Sequence, residues 1–137
     1  MEQESTNEST LFDYDLIRND LLHELLGTEH DQILYWGGKS LARKHVLHTI
    51  DEIIHFFEKA GWGTLEIQKN KAQAKILELH GPWMGKKDPR CYQLEAGFLA
   101  QQIEQMQQQI TEATYEKKRK QVTFQIHSDK YDRTELD

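Results

Sequence analysis

The hydrophobic period of this chain changes sharply at Gly61, and that change limits the folds open to it. Before Gly61, the residues Ile50, Ile53, Ile54 and Phe57 recur three or four apart, which lines one face of an α-helix. Thr49 and Glu52 open the segment as a Thr-x-x-Glu capping box, in which each side chain takes a backbone N–H left over by the first turn. After Gly61-Trp62-Gly63 the period drops to two, and Leu65-Glu66-Ile67-Gln68 alternates as a strand does. A helix that feeds directly into a strand argues against a pure helical bundle or a pure β-sandwich. Helices and strands must share a core.

The flanking segments extend the pattern. A first helix is predicted from Asp13 to Leu26, with Tyr14, Ile17, Leu21 and Leu25 as its apolar stripe, Leu22 and Leu26 widening it, and Gly27 ending it. A second runs from Asp31 to His45 through Ile33, Leu34, Leu41 and Ala42. Gly37 and Gly38 sit in its middle, each about 1 kcal/mol less favourable there than alanine. Their presence predicts a close helix contact. Asn70-Lys71 reads as a turn, and Ala74, Ile76 and Leu79 mark a returning strand that stops at Gly81-Pro82. Trp83 to Pro89 reads as a loop. A further helix spans Cys91 to Gln108, burying Tyr92, Ala96, Leu99, Ile103 and Met106, with the glutamines from Gln101 to Gln109 on its wet side. Two strands follow, near residues 110–116 and 121–127, the second with Val122, Phe124 and Ile126 on one face. Lys117 to Lys120 forms the turn between them.

The element order is thus ααα-ββ-α-ββ. Short hairpins make antiparallel pairs, so the expected fold is α+β: a four-stranded antiparallel sheet packed on helices, in two layers. The 137 residues fit one domain, expected over 11–127. Residues 1–10 are expected to form a flexible polar tail and 128–137 a flexible charged one.

Composition narrows the function. Lys and Arg number 17 against 23 Asp and Glu, a net charge of −6, which argues against nucleic-acid binding because phosphate contacts need a basic surplus. No apolar run reaches the roughly 18 residues of a spanning helix. The acidic opening, Met-Glu-Gln-Glu, lacks the basic and apolar parts of an export signal, so a cytoplasmic location is expected. The single cysteine, Cys91, fits a reducing compartment.

No phosphate loop, dinucleotide fingerprint, Gly-x-Ser-x-Gly or Cys-x-x-Cys occurs. Four groups of residues remain as candidates. His45, His48 and His55 offer imidazoles near one helix, but the capping box separates the first two from the third, and the set is not a His-Glu-x-x-His zinc motif. Cys91, beside Arg90 at a helix start, reads either as a thiol activated by the helix dipole or as a small buried apolar residue. The aromatic residues, above all Tyr35, Trp36, Phe57, Trp62 and Phe98, line an apolar ligand pocket or simply fill the core. Trp83, in its loop, either folds onto the core or faces a partner. Lys117-Lys118-Arg119-Lys120 is a basic run at a hairpin tip, where solvated charge is the usual content.

Several of these stretches resemble a known group. Ile33-Leu34-Tyr35-Trp36-Gly37-Gly38-Lys39, then Phe56-Phe57 with Gly61-Trp62-Gly63, then Cys91-Tyr92-Gln93-Leu94-Glu95-Ala96-Gly97-Phe98-Leu99-Ala100, and a closing hairpin at Phe124, resemble the YslB-like family of Bacillus-type bacteria over residues 11–127. That family is similar to the ligand-binding fold of nitric-oxide-sensing domains, 4-vinyl-reductase-like domains and Golgi-transport (TRAPP) subunits. The resemblance implies a pocket for a small apolar molecule, or a homodimer surface. Cysteines that hold a metal in many 4-vinyl-reductase-like domains have Tyr115 and Val122 at the matching positions here, leaving Cys91 alone. Neither a metal, a haem nor another cofactor is therefore expected. The resulting expectation is a non-catalytic domain that binds or senses an apolar or lipid-like molecule, as a dimer. The alternative is a homodimeric interaction module without a ligand.

Overall fold

Leu65, Leu77, Leu79, Val122, Phe124 and Ile126 are each 2% exposed or less, and strand pairing places all of them on one side of a sheet. In the computed structural model, which describes residues 11–85 and 87–134, β1 (Thr64–Asn70) and β2 (Ala74–His80) form one hairpin. β3 (Gln109–Lys117) and β4 (Val122–Arg133) form the other. The two hairpins join through β2 and β4, giving the order β1-β2-β4-β3, antiparallel throughout. Leu65 stands opposite Leu79, Leu77 opposite Phe124, and Tyr115 opposite Phe124 on its other side. Alternation therefore sends Ala74 and Ile76, two of the three residues that marked β2 in the sequence, to the opposite face from Leu77 and from the third, Leu79.

β4 does not stop at His127. Thr111 pairs with Ser128 and Gln109 with Arg133, so residues 128–133 are strand where a flexible charged tail was expected. The core face continues through hydroxyls instead of hydrocarbon. Ser128 is 2% exposed and Thr111 1%, and their side-chain oxygens share a hydrogen bond of 2.8 Å. A hydrophobic pattern cannot show a face built this way. The expected tail at 1–10 and the last residues, 135–137, lie outside the described residues.

The helices are α1 (residues 11–26), α2 (His30–Lys44), α3 (Ile50–Lys59) and α4 (Gln93–Gln107). Thr49 caps α3, where the Glu52 N–H donates to Thr49 Oγ1 at 3.1 Å and the Thr49 hydroxyl lies 3.5 Å from the Glu52 carboxylate. Gly27, at φ 59°, ends α1 and opens a 3-10 turn over Gly27–Glu29. α1 includes a π-helical turn, Leu16–Leu21. Its inward side keeps only part of the predicted stripe: Tyr14 packs against the core and Leu22 and Leu26 are half-buried. Ile17, Leu21 and Leu25 are 57%, 49% and 69% exposed, while Arg18 is buried. Arg18 reaches a buried carboxylate, and that contact fixes which side of the helix turns in.

α4 lies between the sheet and α2, so every residue from Glu95 to Ile103 is buried. This overturns the expectation of a wet side for Gln101 and Gln102, whereas Gln105 and Gln107 are half-buried and Gln108 is exposed. Gln102 is wholly buried. Its Nε2 donates to the His45 carbonyl at 2.7 Å, and its Oε1 accepts from the Leu47 N–H at 3.1 Å. One side chain thus satisfies two backbone groups of the α2–α3 link, as backbone groups turned toward the interior need. The helices form two tiers above the sheet: α3 and α4 rest on it, and α2 crosses α4.

That crossing explains one of the paired glycines. A Cβ on Gly38 would overlap the Leu94 carbonyl, and one on Gly97 would overlap the Tyr35 carbonyl. The close contact is therefore between α2 and α4 within one chain, with Gly38 against the Leu94–Phe98 backbone and Gly97 against that of Tyr35. Gly37 has open space around it.

β3 is an edge strand with two of its outward N–H groups taken. Thr111 donates to Glu104 Oε1 at 3.1 Å, and Ala113 donates to the Tyr35 hydroxyl at 3.2 Å. Among the described residues, no helix is long and apolar enough to cross a membrane.

Candidate functional site

Two regions of the molecule combine chemistry with open space: an aromatic cluster beneath α3 and a polar hollow beside Cys91. The first gathers three of the five predicted aromatic residues. Phe57, Trp62 and Phe98 are nearly or fully buried, with Phe57 and Trp62 edge to face at 5.0 Å, and Trp62 and Phe98 likewise at 5.2 Å. Edge-to-face packing of this kind adds stability beyond area burial. These rings fill one another's space. Tyr35 lies elsewhere, with its hydroxyl at the β3 edge. Trp36 is 59% exposed.

Phe56 connects the cluster to the surface. It stacks on Phe98 at 4.6 Å and meets the His45 ring at 5.5 Å. Outside it lies a groove of about 460 Å³, walled by Val46, Leu47, Phe56 and Ala60, with Lys44 and Lys59 also lining it. A neighbouring hollow of about 400 Å³ shares Leu47, Phe56 and Lys59. The arrangement is an apolar floor beside two ammonium groups, with the Asp51 and Glu52 carboxylates lining the neighbouring hollow. His45, His48 and His55 are all exposed here, and none belongs to a group of converging metal-ligand atoms among the described residues.

Trp83 folds back. Its indole N–H donates to the Tyr92 hydroxyl at 2.9 Å, and Tyr92 donates in turn to Asp88 at 2.5 Å. Burial and that carboxylate push the Tyr92 phenol well above its ordinary range. The Arg90 guanidinium lies 4.1 Å from the Trp83 ring, a cation–π contact, and donates to Asp15 at 2.6 Å. A second buried arginine, Arg18, donates to Glu95 at 2.5 Å, to the Cys91 carbonyl at 2.9 Å and to the Tyr14 hydroxyl at 2.9 Å. These pairs pin α1 to the start of α4. Lys117, first of the basic run, donates to the Asp88 carbonyl at 2.8 Å.

Cys91 sits just before α4, half-buried. Arg90 does not activate it, because its guanidinium is committed to Asp15 and Trp83. Burial, the largest influence, pushes the thiol up, and the Asp31 carboxylate adds to this. The hollow of about 270 Å³ beside it is lined by His23, His30, Asp31, Cys91 and Tyr115, among others. His30 is 5% exposed; its Nδ1 lies 2.9 Å from Asp31 Oδ1, and its Nε2 has no hydrogen-bond partner. Tyr115 donates to the Cys91 sulfur at 3.9 Å.

Sequence reasoning found no base near Cys91, because His30 and Asp31 lie far back along the chain. It also missed the buried ions Arg18, Arg90 and Glu95. No spacing rule marks these. For Gly97 a signal did exist: a glycine inside a helix is the natural counterpart of Gly38.

Comparison with known proteins agrees with this architecture. A crystallographic vinyl-4-reductase family protein from Methanocaldococcus jannaschii superposes with a TM-score of 0.59 at 20% identity, covering 70% of this chain and 68% of that one. The chain thus shares the fold of that protein. The uncharacterized protein YslB of Bacillus subtilis (strain 168) is 42% identical over 130 residues, 91% of this chain and 86% of that protein. The family described as "Protein of unknown function (DUF2507)" matches residues 11–127, the span of the resemblance read from the sequence, and the chain belongs to that YslB-containing family.

Proposed function

We propose that this protein is a non-catalytic, cytoplasmic domain that binds or senses an apolar or lipid-like small molecule. One observation carries the reading: the buried aromatic cluster reaches the surface at Phe56, on the floor of a groove lined by Lys44 and Lys59. An acyl chain with an anionic head matches that pattern. Its hydrocarbon would cover Val46, Leu47 and Phe56 at roughly 25 cal/mol per Å² removed from water. Its charge would meet the two ammonium groups. Phe57, Trp62 and Phe98 then support the groove from beneath, and side-chain movement admits ligand deeper among them.

Protein purified from cells should carry a bound mass by native mass spectrometry. Oleate should raise the melting temperature by several degrees, as expected when a ligand binds the folded state alone. Val46→Asp, at a position 49% exposed, should remove the shift without unfolding the protein. Empty preparations and a melting point indifferent to fatty acids would end this reading.

A second reading, self-association, rests on α1. Ile17, Leu21 and Leu25 lie four residues apart and are all exposed. In a symmetric dimer one self-complementary patch covers itself. Light scattering at micromolar concentration should show a dimer that Leu21→Asp converts to a monomer. A monomeric parent protein would exclude it.

A further inference from the structure

We infer that His30, Asp31 and Cys91 form a binding site for one divalent transition-metal ion of the zinc type. The inference is independent of the proposed apolar groove, which lies against other residues. A ring nitrogen of His30, a carboxylate oxygen of Asp31 and the Cys91 sulfur all lie within 4.8 Å of one another. Zinc bonds to nitrogen, oxygen and sulfur at 2.0–2.3 Å, so a tetrahedral ion holds its ligand atoms about 3.3–3.8 Å apart. Closing the remaining gap needs side-chain rotation alone. The Asp31 side chain is 69% exposed and has room to turn.

The state of the histidine is a separate observation. His30 is 5% exposed, lines the hollow and buries a nitrogen with no partner. A buried polar atom left unsatisfied costs about 1–3 kcal/mol. A ring that contacts Asp31 through one nitrogen while the other is unpartnered is suited to gain a metal bond. It can bind through one nitrogen while the Asp31 carboxylate supplies an oxygen to the same ion.

Charge also fits. On binding, the Cys91 thiol gives its proton to solvent, a sulfur–metal bond replaces the S–H bond, and nothing is oxidised. The resulting thiolate and the Asp31 carboxylate offset the two positive charges of the ion. Tyr115 remains as a hydrogen-bond donor to the sulfur. Arg90 and Lys117 also line the hollow, but the first is paired with Asp15 and the second is bonded to the Asp88 carbonyl. The His23 ring, 4.9 Å from that of His30, is within reach of the fourth position. Three ligands of mixed type with one position left to His23 or water describe an accessible zinc-like site.

The test is titration of the tag-free, full-length, chelator-treated protein with cobalt(II), followed by absorption. The expected result is one ion per chain, a thiolate-to-cobalt charge-transfer band and the visible bands of four-coordinate cobalt, all bleached by zinc. Cys91→Ser should abolish the charge-transfer band. Asp31→Asn, at an exposed side chain that leaves the fold intact by circular dichroism, should weaken binding at least tenfold. Absence of a charge-transfer band in excess cobalt would overturn the proposal. So would an affinity unchanged in both variants.

Discussion

Gly97→Ala is expected to lower stability by about 3 kcal/mol, the upper part of the range for overpacking. For a chain of this length that is a fall on the order of 10 °C in melting temperature. The added methyl group would occupy the place of the Tyr35 carbonyl, and backbone cannot rotate aside as a side chain can. Gly38→Ala should behave alike, because its methyl group meets the Leu94 carbonyl. Gly37→Ala provides the opposite sign. Nothing lies within 4 Å of its added carbon, so alanine should stabilise the helix by about 1 kcal/mol. Chemical denaturation of the three variants decides the matter. Equal effects at Gly37 and Gly38, or a harmless Gly97→Ala, would refute the close crossing of α2 and α4.

Arg18→Met is expected to cost about 3–5 kcal/mol, since it strands Glu95 as a buried charge with its main partner removed. Arg18 is 2% exposed and Glu95 0%, so water cannot take the place of the lost guanidinium. Glu95→Leu should cost a similar amount for the mirror reason. The double variant should recover much of the loss, because two apolar side chains of matching size restore a packed interior. Full recovery is not expected, since Arg18 also holds the Tyr14 hydroxyl and the Cys91 carbonyl. Denaturation of the single and double variants gives the coupling directly. Additive losses would mean that the pair contributes no specific interaction.

Much of the fold was legible in the sequence because most of it is specified by hydrocarbon. The capping box at Thr49, the stripe of α3 and the alternation of Val122, Phe124 and Ile126 each carry a period that local chemistry enforces. What escaped was specified by polar atoms. Gln102 reads as a surface residue until the backbone of the α2–α3 link is seen to need two partners. Ser128 looks like a tail until Thr111 is placed opposite. Ile17, Leu21 and Leu25 have the spacing of a core stripe, yet one buried arginine turns that face outward. The candidate sites divide in the same way. Phe57, Trp62 and Phe98 could be grouped in advance because large apolar side chains gather in any core. His30, Asp31 and Cys91 could not, because their meeting depends on how the start of α2 lies against the start of α4.

The side chains of Glu104 and Tyr35 leave one border of the sheet closed to a newcomer. A neighbouring polypeptide seeking to add itself as an extra strand would find the Thr111 and Ala113 amides occupied. Growth by strand addition is thereby steered to the far border, along Thr64–Asn70. A peptide guest or an aggregation seed would meet this molecule there, and a proline or a lysine introduced along that border is where protection against fibril formation would have the most to gain.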